Sequence, residues 1–383
     1  MSKRLAIFLD GTWNTPDDAT SVHELRQRTL VGLAPDGVEQ RSFYRTGVGT
    51  RWTERLRGGA FGSGLSANVL AAYRWLVDNH ADGDQIYLFG FSRGAYSARS
   101  LAGVIVNCGL LRSGAALTAD QVYARYRAGK AVEPIYRLEH IRRTGQRPLD
   151  DEETRLLADS RRVRIHMLGV WDTVGALGVP WTAAPLVGRK NFYFHNTNPS
   201  NIFDHCYHAL AIDEHRGPYK PTLWTRFTPE GKDPAQDPHV PPPRIEQRWF
   251  VGAHSNVGGG YRDDRLYLLP LDWMQRMAAA HGLVFTSDIS LRPDDVLTPP
   301  VDSYARFMKG VYRIVRLGKR FHRPIGAPSR KVRGGWSTPI GETIDASVFV
   351  KYHADATYRP ANLDAWAETR GLSLATLHGD QPA

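Results

Sequence analysis

The chain has 383 residues, 42% of them hydrophobic, which is enough for one large buried core with excursions or for two domains. Its two cysteines, Cys108 and Cys206, exclude a disulfide framework, and neither lies in a Cys-x-x-Cys pattern of the kind zinc ribbons and thiol redox centres need. The formal net charge of +10 suits anionic surroundings or a solubilising surface, with cations crowding late in the chain from Lys309 through Arg313, Arg316, Lys319, Arg320, Arg323, Arg330 and Lys331 to Arg333. Glycine and proline interrupt that run, so it does not suit a helix that reads nucleic acid, and no nucleic-acid partner is expected.

In chain order, Leu5 to Leu9 is a continuous apolar run closed by Asp10-Gly11-Thr12, the pattern of a strand buried on both faces of a parallel sheet. Asp10 ends the run before it reaches the length of a signal-peptide core. A second strand is expected around Arg41 to Tyr44, before the glycine-rich Thr46–Thr50. Ser66 to Asn79 carries apolar residues at helical spacing, with Ser66 as its N-cap. Asp84 to Phe89 reads as the next strand, and Gly90-Phe91-Ser92-Arg93-Gly94 turns from it directly into a helix of small residues. Strand, crossover helix and strand together build a parallel sheet.

Arg112 to Arg162 is charged and helical in pattern, as in an inserted cap or lid. The sheet resumes at Val163 to Val170, ending in Trp171-Asp172-Thr173. A loop rich in proline, asparagine and aromatics follows, and Ile245 to Val251 is the next strand, ending in Gly252-Ala253-His254. Leu271 to Ala280 reads as a helix and Ala346 to Val350 as a late strand. The expected organisation is a catalytic domain over 1–290, with insertions at about 112–162 and 180–244, and an extension over 291–383 packed on the same domain. The longest apolar stretch, Leu101 to Leu111, is far too short to span a bilayer. Residence in the cytoplasm, or export without a cleaved signal peptide, is expected.

Gly-x-Ser-x-Gly between a strand and a helix is the context of a nucleophile elbow, where the serine sits on a strained turn and side chains at the flanking glycines would clash. Ser92 is the candidate nucleophile. Its base and orienting acid follow in this fold in the order Ser, Asp, His, and Asp172 and His254 supply that order, each at the end of an expected strand. Read more plainly, Asp172 is a carboxylate capping a loop and His254 a structural histidine beside Gly258-Gly259-Gly260. His205, His208 and His215 are rival bases, and Asp204 and Asp213 rival acids.

His205 and His208 also form a His-x-x-His pair, but no third ligand stands out, so neither metal nor cofactor is expected. Asp10-Gly11-Thr12 resembles half of a phosphatase signature, yet Phe8 occupies the nucleophile's position. If the strand at 5–9 neighbours the Ser92 strand, the N–H of Gly11 or Thr12 joins that of Arg93 as an oxyanion hole. Asp10, Trp13 and Phe91 are the expected substrate contacts, and Phe192-Tyr-Phe194 a candidate acyl-pocket wall.

Several ordered segments carry a resemblance: Phe8-Leu-Asp-Gly-Thr-Trp-Asn14, Gly47-Val-Gly-Thr50, Gly90-Phe-Ser-Arg-Gly-Ala-Tyr96, Gly169-Val-Trp-Asp-Thr-Val-Gly175, Tyr207-His-Ala-Leu-Ala-Ile-Asp-Glu214 and Trp249 to Tyr261. In these the chain resembles the catalytic domain of the type VI secretion lipase effectors. The resemblance implies an α/β-hydrolase fold, activity on phospholipid acyl esters, Ser92 as nucleophile, Asp172 as acid and His254 as base. Asn256 departs from the family pattern, where Asp is expected. Lipid or another ester is the expected substrate, with peripheral contact to an anionic membrane and a secretion-system partner. A carboxylesterase for soluble esters and a non-catalytic module with a basic face are the alternatives.

Overall fold

The computed structural model describes residues 2–11, 19–47, 60–174, 193–194, 202–234, 245–261 and 263–383. The chain begins with β1 (Lys3–Leu9), α1 (Ser21–Arg28), β2 (Gly32–Leu33) and β3 (Glu39–Arg45), followed by α2 (Ala60–Asn79), β4 (Gln85–Phe91) and α3 (Arg93–Cys108). β1 and β4 are buried almost end to end, as continuous apolar runs between two helical layers must be. Helix α2 starts at Ala60, six residues before the expected cap, and Ser66, now inside it, lies 3.0 Å from the Tyr123 hydroxyl.

The stretch read as a helical insertion opens with β5 (Leu110–Leu111), contains α4 (Ala119–Ala128), α5 (Ile135–Thr144) and α6 (Asp151–Asp159), and closes with β6 (Ser160–Arg161). β5 and β6 pair antiparallel and clip its two ends together. Capping boxes at Thr118 with Gln121 and at Asp150 with Glu153 start α4 and α6. The excursion packs on α2 and α3 and so thickens one helical layer.

β7 (Ile165–Trp171) returns to the sheet, and after the two-residue β8 (Tyr193–Phe194) the chain enters β9 (Phe203–Ala211), where the sequence pattern suggested a loop. Asp204, His205 and His208 break the apolar run, which hides the strand from a periodicity reading. Each is accommodated: Asp204 pairs with Arg164 and His166, His205 stacks on His281, and His208 takes two buried hydrogen bonds.

Then follow β10 (Thr225–Pro229), β11 (Ile245–Phe250), α7 (His254–Gly258) and α8 (Leu268–Ala280), with α9 (Ser303–Arg306) and α10 (Val311–Val315) beyond them. The last elements are β12 (Arg330–Val332), β13 (Gly335–Pro339), β14 (Glu342–Ile344), α11 (Ala346–Ala354), α12 (Ala361–Thr369) and β15 (Gln381–Pro382). The expected strand at 346–350 is therefore helix α11. Asp345 decides it by accepting the Ser347 N–H as N-cap, and the strand is displaced to 342–344.

Among the described residues the main sheet has nine strands in the order β15-β14-β11-β9-β7-β4-β1-β3-β2. It is parallel from β14 through β3, with antiparallel pairs only at the two edges, β14 with β15 and β2 with β3. This is an α/β architecture: a mostly parallel sheet with helices on both faces. One core lies between the sheet and α2, α3 and the excursion, and a second lies under α1 and α8. A third joins β9 and β11 to α11 and α12, so the C-terminal residues share the sheet's core. No helix among the described residues is long and apolar enough to cross a membrane.

Candidate active site

Because β4, β7, β9 and β11 run parallel, their carboxyl ends meet at one edge, and Ser92, Asp172 and His254 follow three of them. Ser92 caps α3 with φ 56°, and Asp172 has φ 37°. Side chains adopt such backbone at a cost of about 1–3 kcal/mol each, so the surrounding structure must hold both turns. At the first turn the hold is visible. A Cβ on Gly90 would lie 2.6 Å from the Gly94 carbonyl oxygen, and one on Gly94 would lie 2.0 Å from the Leu9 carbonyl oxygen. Glycine at both positions lets α3 start against the end of β1.

The three side chains form one hydrogen-bonded line. His254 Nδ1 is 2.5 Å from Asp172 Oδ2, and Nε2 is 2.8 Å from Ser92 Oγ. With Asp172 ionised only Nδ1–H can donate to it, which leaves Nε2 to accept from the serine hydroxyl. The imidazole lies between Phe91, with ring centroids 4.8 Å apart, and Tyr219, which meets it edge-on at 5.0 Å. Burial in this slot lowers the His254 pKa, while the Asp172 charge works against the shift. The ring is held neutral near pH 7.

Asp172 has a further partner that the sequence did not single out. The guanidinium of Arg323 donates to Oδ1 at 2.6 Å and Oδ2 at 2.9 Å, and also to the carbonyls of Ala211 at 2.8 Å and Tyr219 at 2.5 Å. Burial raises the carboxyl pKa, but Arg323 and His254 outweigh it and hold Asp172 well below the usual carboxylate range. Ala211 N–H adds a third kind of donor at 3.1 Å. Arg323 is fully buried, although it sits in the basic run that reads as surface. No local pattern marks it, because 151 residues separate it from Asp172.

A second ion pair stands behind His254. Glu214 is bound by Arg216 through Nε at 2.9 Å and Nη2 at 2.8 Å, and accepts the His254 N–H at 3.2 Å and the Ser303 hydroxyl at 3.0 Å. Burial opposes the Glu214 charge, yet Arg216 brings its pKa down to about 2. Arg216 lies 3.6 Å from the centroid of the Tyr219 ring that flanks His254.

The rival residues are occupied elsewhere. His208 accepts the Thr173 N–H through Nε2 at 3.1 Å and turns Nδ1 to Gln247 at 3.2 Å. Burial pushes its pKa down to about 3, so it stays neutral and steadies the turn after Asp172. His205 and His208 are three apart on β9 and so face opposite sides of the sheet, the wrong arrangement for one metal ion. Among the described residues no group of three or more His, Cys, Asp or Glu could hold a metal. His215 bonds the Phe321 carbonyl, Asp204 lies toward the other end of β9, and Asp213 accepts from Gly252 N–H and Tyr358.

β1 does pair with β4, which brings the residues after Leu9 beside the serine turn. Gly11 N–H, however, donates to Asp10 Oδ1 at 2.7 Å, so this expected oxyanion donor is engaged by its neighbour. Asp10 itself is buried, with Oδ2 accepting from Thr20 at 2.5 Å and Tyr44 at 3.0 Å, and it braces the end of β1. Phe91, expected as a substrate contact, packs against the His254 imidazole. Arg93, the other expected oxyanion donor, opens α3 directly after Ser92. Thr12, Trp13 and Phe192 lie outside the described residues. Asn256 Oδ1 accepts from Ala253 N–H at 3.0 Å and Val301 N–H at 3.1 Å. The first of these bonds a carboxylate would also make, so the departure from Asp keeps the cap on α7.

Residues 3–277 match the family model of the T6SS phospholipase effector Tle1-like catalytic domain. The chain belongs to this family. The Tle1-like match ends before Arg323, so the residue that pairs with Asp172 lies beyond it. An uncharacterized protein of Saccharomyces cerevisiae is 28% identical over 240 residues, which is 58% of this chain and 33% of the yeast protein. Among solved structures, an uncharacterized protein from Pseudomonas aeruginosa is 13% identical, with TM-score 0.39 over 82% of this chain and 51% of that one. The Tle1 effector bound to the VgrG spike of the type 6 secretion system is 15% identical, with TM-score 0.32 over 68% of this chain and 52% of that one. The Tle1-like chain thus spans a third of the yeast relative and about half of each solved one.

Proposed function

We propose that this Tle1-like chain is a serine hydrolase that cleaves acyl esters of phospholipids. The observation that carries the reading is the 2.8 Å contact between Ser92 Oγ and His254 Nε2, made by a serine at φ 56° whose base is already oriented by Asp172. In this mechanism Ser92 Oγ attacks the ester carbonyl and His254 takes the hydroxyl proton. The tetrahedral oxyanion is held by the Arg93 N–H, and collapse expels the alcohol, which receives the proton back from His254. Water, deprotonated by the same imidazole, then attacks the acyl-enzyme and frees the fatty acid and Ser92. An oxyanion donor of this kind contributes about 3 kcal/mol in the transition state. The family's own designation supports a phospholipid as the substrate and makes a component of a type VI secretion system the expected partner.

Covalent labelling by a fluorophosphonate tests the serine directly, because only an activated hydroxyl reacts. Wild type should label and Ser92→Ala should not. A folded wild-type protein that resists the probe would favour the alternative of a non-catalytic module. Preference for short soluble esters, without any gain on lipid aggregates, would favour a carboxylesterase.

A further inference from the structure

Between Ser303 and Gly341 the sequence holds ten Lys and Arg and no Asp or Glu; setting these ten aside leaves 39 basic residues against 39 acidic ones in the rest of the chain. The entire net charge of the protein therefore resides in this one stretch. Arg323 is spent on Asp172 and Arg320 is paired with Asp302 at 2.6 Å, whereas Arg313, Arg316 and Lys319 are exposed. Beside and between those cations stand four aliphatic side chains in water: Val311 at 50% exposure, Ile314 at 74%, Val315 at 60% and Leu317 at 84%. A ridge serving only to keep the protein soluble has no use for them.

The backbone presents these side chains. Gly310, at φ 88°, opens α10, and Leu317 at φ 50° with Gly318 at φ 74° turns the chain back at the tip. The base of the ridge is fixed by rings: Tyr312 meets Tyr304 at 5.6 Å and Phe307 at 5.2 Å. Phe307 in turn meets Tyr219 at 5.9 Å, and Tyr219 is the ring that flanks His254 at 5.0 Å. The root of the apolar and cationic tip at Tyr312 is thus joined through the rings of Phe307 and Tyr219 to the residue that would act as base.

We propose that residues 307–320 form the face with which the protein docks on an anionic phospholipid surface, presenting the Ser92 site to the lipid. The inference rests on the phospholipid-ester reading of that site. Interspersed aliphatic and cationic side chains match the two layers of such a surface, acyl chains below and charged headgroups above. A nucleic acid would satisfy the cations but leave Ile314 and Leu317 in water.

The test uses full-length protein carrying Ser92→Ala, so that vesicles are not consumed, in sedimentation with vesicles of phosphatidylcholine alone or in equimolar mixture with phosphatidylglycerol. Binding to the mixed vesicles is expected, lost in high salt and weak to phosphatidylcholine alone. Adding Ile314→Glu with Leu317→Glu should lower the partition coefficient at least ~tenfold. Arg313→Gln with Arg316→Gln, which leaves the aliphatic tip intact, should lower it by roughly fivefold per charge. None of these four surface changes should shift the melting temperature.

Partition unchanged in both double variants, equal partition to the two vesicle types, or retention on duplex DNA without vesicle binding would each overturn the docking face. The two readings fail separately. Ridge-dependent binding with no fatty-acid release by the Ser92 protein overturns the hydrolase and leaves the docking face standing. Ser92-dependent release that ignores the ridge variants does the reverse.

Discussion

The guanidinium of Arg323 grips both carboxylate oxygens of Asp172, at 2.6 and 2.9 Å, while the same carboxylate orients His254. A fully buried cation beside the acid partly cancels the field that would stabilise an imidazolium. Replacing Arg323 by Met should therefore raise the His254 pKa and move the acid limb of kcat/KM to higher pH. Removing one member of a buried pair also destabilises by about 3–5 kcal/mol. Arg323→Lys, which keeps the charge but not the two-pronged grip, should recover the position of the acid limb better than it recovers kcat. An unshifted limb in a folded Arg323→Met protein would mean that the pair serves stability alone.

The acid limb of the wild-type profile should itself lie low. Burial between Phe91 and Tyr219 holds His254 below its ordinary value, and in the proposed mechanism the neutral ring is the form that takes the serine proton. Activity should accordingly stay flat on going down from neutral pH and fall only below about 6.5, the ordinary histidine value. A kcat/KM profile that already declines above that value would contradict this electrostatic account.

Gly94 carries a sharper structural test. Any Cβ there would sit 2.0 Å from the Leu9 carbonyl oxygen, backbone against backbone, so α3 could not start where it does. Gly94→Ala should lose activity about 10²-fold or more, on the scale expected when the reacting groups are misplaced by roughly 1 Å. It should also unfold at lower temperature. A control change at exposed Gly114, which has open space at its Cβ position though its φ is 78°, should affect stability only.

Asp213 provides a pH-dependent stability test away from the chemistry. Burial raises its pKa from 3.8 to about 6, against the hydrogen bonds it accepts from Gly252 N–H and Tyr358. Since the folded value exceeds the unfolded one, this group favours the fold at low pH, and that contribution is lost as pH rises from about 4 to about 6. Asp213→Asn keeps an acceptor oxygen and removes the titration. It should raise the melting temperature at pH 7 relative to wild type and leave little difference at pH 4. Equal shifts at both values would rule out the carboxylate's titration as the cause.

Much of this arrangement was legible locally. The apolar runs of β1, β4, β7 and β11 announce strands, and each of the three candidate residues follows one of them. What was not legible depends on distant partners. β9 hides because its histidines and Asp204 look unlike a buried strand until His281, Gln247, Arg164 and His166 are folded around them. Arg323 reads as one more cation in a basic run, and nothing short of tertiary structure brings it to Asp172. Gly11 was expected as an oxyanion donor if β1 neighboured β4, and Asp10 as a substrate contact. In the fold they bond each other, Thr20 and Tyr44. The helix at 346–354 was lost to the ambiguity of a short apolar run, which Asp345 resolves by capping.

The most direct measurement is product analysis by mass spectrometry after phospholipid vesicles are incubated with wild-type or Ser92→Ala protein side by side. Release of free fatty acid with the matching lysophospholipid by wild type, falling to background in Ser92→Ala, is the predicted result. Equal release by the two proteins would contradict the assignment of Ser92 as the nucleophile, and no release by either would contradict phospholipid ester hydrolysis itself.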